Sequence, residues 1–187
     1  MRSSLRSIGI GLLMATFVFS ACGSSSDGVE SVLLDEPGEY QEPGIAVNQP
    51  VRGEPFVTAV VRGSDGSAVD VADLVGRPMV VNFWFSACPP CKREMPAIEE
   101  AHLQYGESVT FVGVNPVDTE KRMNDFASDI GVTYMLLSDP DSELLVANGI
   151  AAFPTTLFVD ADGIVVEQIS GEVTLEMLGQ AIEGLVS

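Results

Sequence analysis

WFSACPPCKREMP, Trp84 to Pro96, sets two of the chain's three cysteines two residues apart, with Pro89 and Pro90 between them and Pro96 five residues after Cys91. Ahead of it runs MVVNFWF, Met79 to Phe85. A near-continuous apolar run of that length is the pattern of a central strand covered on both faces. Behind it, the residues up to about Gly106 read as a helix that starts at the cysteines. Pro96 is expected to interrupt and kink that helix, because proline lacks the N–H that the helical ladder needs. A dithiol at the junction of a buried strand and a helix suggests three chemistries: a zinc half-site, a structural staple or a redox switch.

Zinc fits poorly. A closed structural site usually takes four Cys or His ligands. The chain holds one histidine and no second CxxC. His102 lies about three helical turns beyond Cys91 and reads as a surface residue of the same helix without a role. No metal and no cofactor is expected. A staple fits no better, since a disulfide across so short a loop removes little unfolded-state entropy. The redox reading agrees with helix physics. A helix N-terminus carries partial positive charge and unpaired N–H groups, which stabilise a thiolate. With Cys88 as N-cap, Pro89 occupies the first helical position, where its missing N–H costs nothing. Cys91 then lies one turn on, facing back. Cys88 is expected to be the exposed attacking thiolate and Cys91 the resolving thiol. Lys92 and Arg93 are expected either to add a modest positive field or to be solvated.

The N-terminus reads as an export signal. Arg2 and Arg6 precede a short apolar segment, Ile8 to Phe19, and small residues lead into Cys22. The sequence F-S-A-C resembles a bacterial lipobox, with Phe19 where an aliphatic residue is usual. Lipidation of Cys22 is the favoured reading, and an ordinary signal peptide cut near Ala21 is the alternative. Residues 1–21 are thus assigned as signal peptide, 22–50 as an acidic flexible tether, and 51–187 as one folded domain. The formal charge is -18, and cleavage would remove two arginines and no acid. So acidic a chain should be repelled by phosphate and is expected to bind no nucleic acid. Outside the cytoplasm, disulfides persist.

Along the domain, Pro55 to Val61 and Ser67 to Val71 read as strands about an Asp65-Gly66 turn, with a short helical turn over Asp73 to Gly76. Ser108 to Pro116 and Thr133 to Asp139 read as further strands. Between them Thr119 is the expected N-cap of a helix ending at Ile130, with Gly131 as its stop. Asp141 to Asn148 reads as a short helix. Thr155 to Ser170 reads as a strand pair, and Leu175 to Leu185 carries helical spacing. Strands alternating with helices and a final hairpin give an α/β fold with a mixed sheet.

NFWFSACPPCKREMP resembles the active site of thioredoxin-like proteins, and more narrowly of the membrane-tethered TlpA/ResA/DsbE-type thiol-disulfide oxidoreductases. Asn82, Phe83, Trp84, Cys88, Cys91, Glu94 and Pro96 match position by position. A second block, FPTTLFVDADG from Phe153 to Gly163, resembles the family's cis-proline segment. The resemblance implies a thioredoxin-like fold: a central mixed sheet flanked by helices, an N-terminal β-hairpin, and the extra helix-strand insertion of TlpA-like proteins at Thr119 to Asp139. It implies that Pro154 is cis beside the cysteines and that the backbone before it pairs with substrate like an added strand. Trp84, Pro89, Pro90 and Phe153 would contact substrate. Glu94 would tune thiol acidity or relay a proton, with a solvated helix glutamate as the alternative. Two positions depart from relatives: Ala87 stands where many have Trp, and Asn82 where plain thioredoxin has a buried Asp.

The resemblance implies an exported, membrane-tethered enzyme that reduces or forms disulfides in exported proteins, apocytochrome c cysteines among the candidates. Its partners would be exported protein thiols or disulfides, a membrane thiol-disulfide electron carrier, and the membrane through a lipid anchor on Cys22. Two other classes fit less well. A thiol peroxidase would need Thr at the position of Phe85. A copper carrier of the SCO type would need CxxxC and a distant His.

Overall fold

The computed structural model describes residues 46–186. The expected signal peptide, Cys22 and most of the tether lie outside the described residues. A seven-stranded sheet runs in the order β2-β1-β5-β4-β3-β6-β7. Its strands are β1 (Val60–Gly63), β2 (Ala68–Asp70), β3 (Met79–Phe83), β4 (Thr110–Asn115), β5 (Met135–Ser138), β6 (Thr155–Val159) and β7 (Val165–Ser170). β3, β4 and β5 pair in parallel. β1 runs antiparallel to both β2 and β5, and β6 runs antiparallel to both β3 and β7, so the sheet is mixed. The helices are α1 (Pro89–Tyr105), α2 (Glu120–Ile130), α3 (Glu143–Ala147) and α4 (Leu175–Val186).

The apolar run at β3 is the centre of the molecule, and every residue of the strand is buried. Alternation sends Met79, Val81 and Phe83 into one core and Val80 with Trp84 into the other. The first core also takes Phe56, Val112, Val114, Leu137, Leu144 and Leu157. The second is covered by α1, α2 and α4 through Met95, Ile98, Met123, Leu178 and Ile182. α2 starts where Thr119 Oγ1 accepts the Arg122 N–H at 3.3 Å, and it stops at Gly131 with φ 79°. Glycine adopts that left-handed conformation without steric penalty, hence the sharp end.

Four expectations need correction. The first strand begins at Val60 and not at Pro55, because the backbone from Gly53 to Phe56 is spent on Gly163 and Val165. Pro55 makes only an isolated bridge to Ile164. α1 passes through Pro96 without a break. Pro96 and Lys92, whose carbonyl loses its helical donor, are both exposed, so that carbonyl is open to solvent and the lost bond costs little. His102 is half-buried and not a surface residue: its ring stands edge-on to Phe111 and Tyr134, at 5.5 and 6.1 Å between centroids. Finally, Asn48 and Gln49, assigned to the tether, are hydrogen-bonded to the folded domain.

Candidate active site

β3 ends at Phe83, which pairs with Thr155 at the start of β6. The register therefore brings two loops to one end of these central strands: the one leading from β3 into α1, and the one leading through Pro154 into β6. The Phe85 and Phe153 rings join them edge to face, with centroids 5.2 Å apart. The Phe153–Pro154 peptide is cis.

Cys88 is the N-cap of α1, with extended backbone (φ -83°, ψ 110°) and proline in the first helical turn. Its Sγ accepts the Cys91 N–H at 3.3 Å. The two cysteines are joined by a disulfide. Cys88 is 4% exposed and Cys91 fully buried, so in the disulfide both sulfurs are covered and Cys88 is not the exposed residue expected from sequence. Ala87 and Pro89 beside it are exposed, and Pro90 is half-buried.

One turn further along α1, Glu94 is buried. Its Oε1 accepts from Asn82 Nδ2 at 2.8 Å and its Oε2 from the Val173 N–H at 3.0 Å. Asn82 Nδ2 also donates to Thr156 Oγ1 at 3.0 Å, while its Oδ1 has no partner among the described residues. Burial outweighs these two bonds and pushes the Glu94 carboxyl from about 4.5 to about 7, with the negative charge of Glu172 adding to the rise. The cations nearby are engaged elsewhere. Arg93 pairs with Glu172 at 2.6 Å, and Lys92 lies over the Phe126 ring, 5.5 Å from its centroid.

Trp84, expected at the substrate surface, lies inside the core. It has no exposed surface and packs against Phe126 at 5.6 Å between centroids. Gly113 makes room for it: a Cβ there would lie 2.9 Å from Trp84 Nε1. The side chain next along, Phe85, is the half-buried aromatic that packs on Phe153. Burial is the physical reason, since alternation beyond β3 turns Trp84 into the core.

Sequence reasoning also missed what holds the loop ahead of Cys88. Asp118, after β4, accepts from the Ser86 N–H at 2.6 Å, the Ser86 hydroxyl at 2.8 Å, Asn115 Nδ2 at 2.8 Å and Arg122 Nε at 3.0 Å. Burial opposes its charge, but the bonds from Asn115 and Ser86 and the Arg122 guanidinium hold the carboxyl below its ordinary value. The run N-P-V-D-T was a visible turn signal, but nothing in it pointed across 32 residues to Ser86. Among the described residues, no group of three or more His, Cys, Asp or Glu is placed to hold a metal.

The family described as Redoxin matches residues 52–182. The chain belongs to the redoxin family. Within it, curated relatives named thiol-disulfide oxidoreductase ResA include one from Bacillus anthracis, 32% identical over 120 residues, covering 64% of this chain and 69% of the relative. Another, from Halalkalibacterium halodurans, is 30% identical over 132 residues, covering 70% and 75%. Among solved structures, DsbF of Mycobacterium tuberculosis matches at a TM-score of 0.64 and 27% identity, over 73% of this chain and 99% of that one. A thioredoxin-family thiol:disulfide interchange protein from Chlorobium tepidum matches in fold, with TM-score 0.61 at 23% identity, over 75% and 100%. This redoxin is accordingly a thioredoxin-like thiol-disulfide oxidoreductase of the TlpA/ResA/DsbE type.

Proposed function

We propose that the Cys88–Cys91 pair is the redox centre and that the protein works as a reductant of exported protein disulfides, apocytochrome c haem-binding cysteines among its candidate substrates. The export and lipid anchoring of this reading rest on the signal-like N-terminus and Cys22. Among the described residues, no helix is long and apolar enough to cross a membrane.

The observation that carries the direction is Glu94. In strongly oxidising relatives of the thioredoxin fold, the reduced form is favoured because its thiolate is stabilised. Here the helix N-terminus favours the Cys88 thiolate, but a buried carboxyl one turn behind Cys91 opposes it once ionised. Among the described residues the neighbouring cations are engaged: Arg93 is held by Glu172, and Lys92 lies over the Phe126 ring. The reduced form is therefore less stabilised, and the pair gives up electrons more readily.

The reaction is two exchanges. Cys88 Sγ, as thiolate, attacks one sulfur of the substrate disulfide; a mixed disulfide forms and the other substrate sulfur leaves as thiolate. Cys91, deprotonated, attacks Cys88 Sγ and expels the second substrate sulfur. Two electrons pass to the substrate, whose sulfurs take up two protons, and the Cys88–Cys91 disulfide remains. Glu94, titrating near neutrality, is suited to accept the Cys91 proton. A membrane dithiol carrier then restores the dithiol by the same steps in reverse. Phe153, Pro154, Pro89 and Pro90 form the substrate-facing rim in this reading, with Phe85 in place of Trp84.

Trapping tests it. The Cys91→Ser variant, mixed with a disulfide-bonded peptide, should accumulate a covalent adduct at Cys88, read by mass spectrometry. An adduct at no site, or one in Cys88→Ser, would contradict the assignment.

A further inference from the structure

Asn48 stands apart from the chemistry, in a stretch that the sequence reads as tether, yet its side chain makes four hydrogen bonds. Oδ1 accepts the N–H groups of Ala151 and Ala152, both at 2.8 Å. Nδ2 donates to Thr155 Oγ1 at 2.6 Å and to Ser170 Oγ at 2.7 Å. Thr155 Oγ1 in turn donates to the Ala152 carbonyl at 2.8 Å. One amide side chain thus grips the chain on both sides of Phe153–Pro154 and ties it to β7, where Ser170 is the register partner of Thr155.

The flanks are fixed as well. The Gln49 N–H donates to the Gly149 carbonyl at 2.9 Å, and Gln168 Nε2 donates to the Gln49 carbonyl at 3.1 Å. Gly149 sits at φ 65°, and a Cβ there would meet Gln49 Cβ at 2.7 Å, so the close approach of the two segments is built into the backbone. On the other side, the Phe153 ring rests on Phe85. The N–H groups of Ala151 and Ala152 and the Ala152 and Pro154 carbonyls are all taken, the last by the Gly171 N–H at 2.9 Å. Among the described residues, no hydrogen bond engages the N–H or the carbonyl of Phe153.

We propose that Asn48 is a positioning residue for polypeptide substrates: it holds residues 151–155 and occupies the neighbouring backbone groups, so that the Phe153 N–H and carbonyl are left as the one pair that an extended chain can bond beside Cys88. The proposal rests on the reading that substrate pairs with the segment before Pro154. Asn48 touches neither sulfur, so it acts on recognition and leaves the redox couple alone. A disulfide without a peptide backbone should not sense it.

The test uses the reduced full chain with two probes: an extended decapeptide whose single cysteine is joined to glutathione, and hydroxyethyl disulfide, which has no backbone to pair. Asn48→Ala removes bonds that order the loop and should slow the peptide reaction about tenfold. The rate with hydroxyethyl disulfide and the reduction potential should stay unchanged. Asn48→Asp keeps an acceptor for the two amides and should recover most of the peptide rate; it also serves if the alanine variant folds poorly. Pro154→Ala runs alongside. If Pro154→Ala slows the peptide selectively and Asn48→Ala does not, the positioning role is overturned while the substrate reading stands. If Pro154→Ala also spares the peptide, the substrate reading itself fails. Equal slowing of both probes by Asn48→Ala, or a shifted potential, would make Asn48 a general structural residue and overturn the proposal.

Discussion

Two loops meet where β3 ends and β6 begins, and they are built by opposite means. The CPPC turn is local. Its cap, its prolines and its partner cysteine all lie within four consecutive residues, and the helix that follows supplies the polarity. The cis-proline loop is assembled from afar: Asn48, Ala151 to Thr155, Ser170 and Phe85 come from four separate stretches of the chain. The contrast teaches where reactivity and recognition are stored. In the proposed reading, reactivity is written into one helix end and recognition depends on long-range packing. The Asn48 variants strike only the second.

The sharpest way to break the comparison is at the local end. Cys88→Ser should abolish exchange with peptide and small disulfides alike, since the other described cysteine, Cys91, is fully buried; residual exchange would show a second reactive group. Next comes Glu94→Gln, which joins the helix to the rest of the fold. The raised carboxyl binds its proton in the native state between about pH 4.5 and about pH 7, where the unfolded chain does not. Its contribution is therefore fully present below the lower value and lost as pH rises through the upper one, on the order of 3 kcal/mol in all. Glu94→Gln removes that loss. The stability difference between the variant and the parent, from denaturant titrations at several pH values, should grow in favour of the variant across that window. A constant difference would mean that Glu94 does not titrate there.

Smaller effects sharpen the picture. Asp118→Asn puts an amide where two oxygens now accept four donors, and should cost about 1–2 kcal/mol of stability. If the loop ahead of Cys88 owes its shape to Asp118, Ser86→Ala should give a part of the same loss, and the two should be non-additive in a double-mutant cycle. Least of all, Thr119→Ala should cost about 1 kcal/mol through the cap of α2. It should leave the reduction potential where it was, because that cap lies on neither loop.

How much could be read from the sequence follows the same division. The buried run at β3, the capping of α1 by Cys88, the Thr119-to-Gly131 limits of α2 and the terminal hairpin all rest on short-range physics, and they stood out. Trp84 was misjudged because a residue just past a strand end can face either way, and only the Phe126 ring and the gap over Gly113 decide it. His102 was misjudged for a similar reason: its neighbours Phe111 and Tyr134 sit on other elements. The long-range contacts of Asn48 and Asp118 were invisible, since each bonds groups tens of residues away and neither carries a motif. Pro154 was legible only through resemblance, because a lone X–Pro bond favours trans.

The central claim is that Cys88 and Cys91 form a reversible couple held at the reducing end by a buried carboxyl. The most direct measurement is the equilibrium reduction potential of the full chain at neutral pH, in dithiothreitol or glutathione redox buffers, with Glu94→Gln beside it. The account predicts a single two-electron couple near the thioredoxin value of about -270 mV, and a less negative value for Glu94→Gln, whose thiolate no longer faces the carboxylate. A value near about -120 mV, an unmoved Glu94→Gln variant, or no reversible disulfide would contradict it.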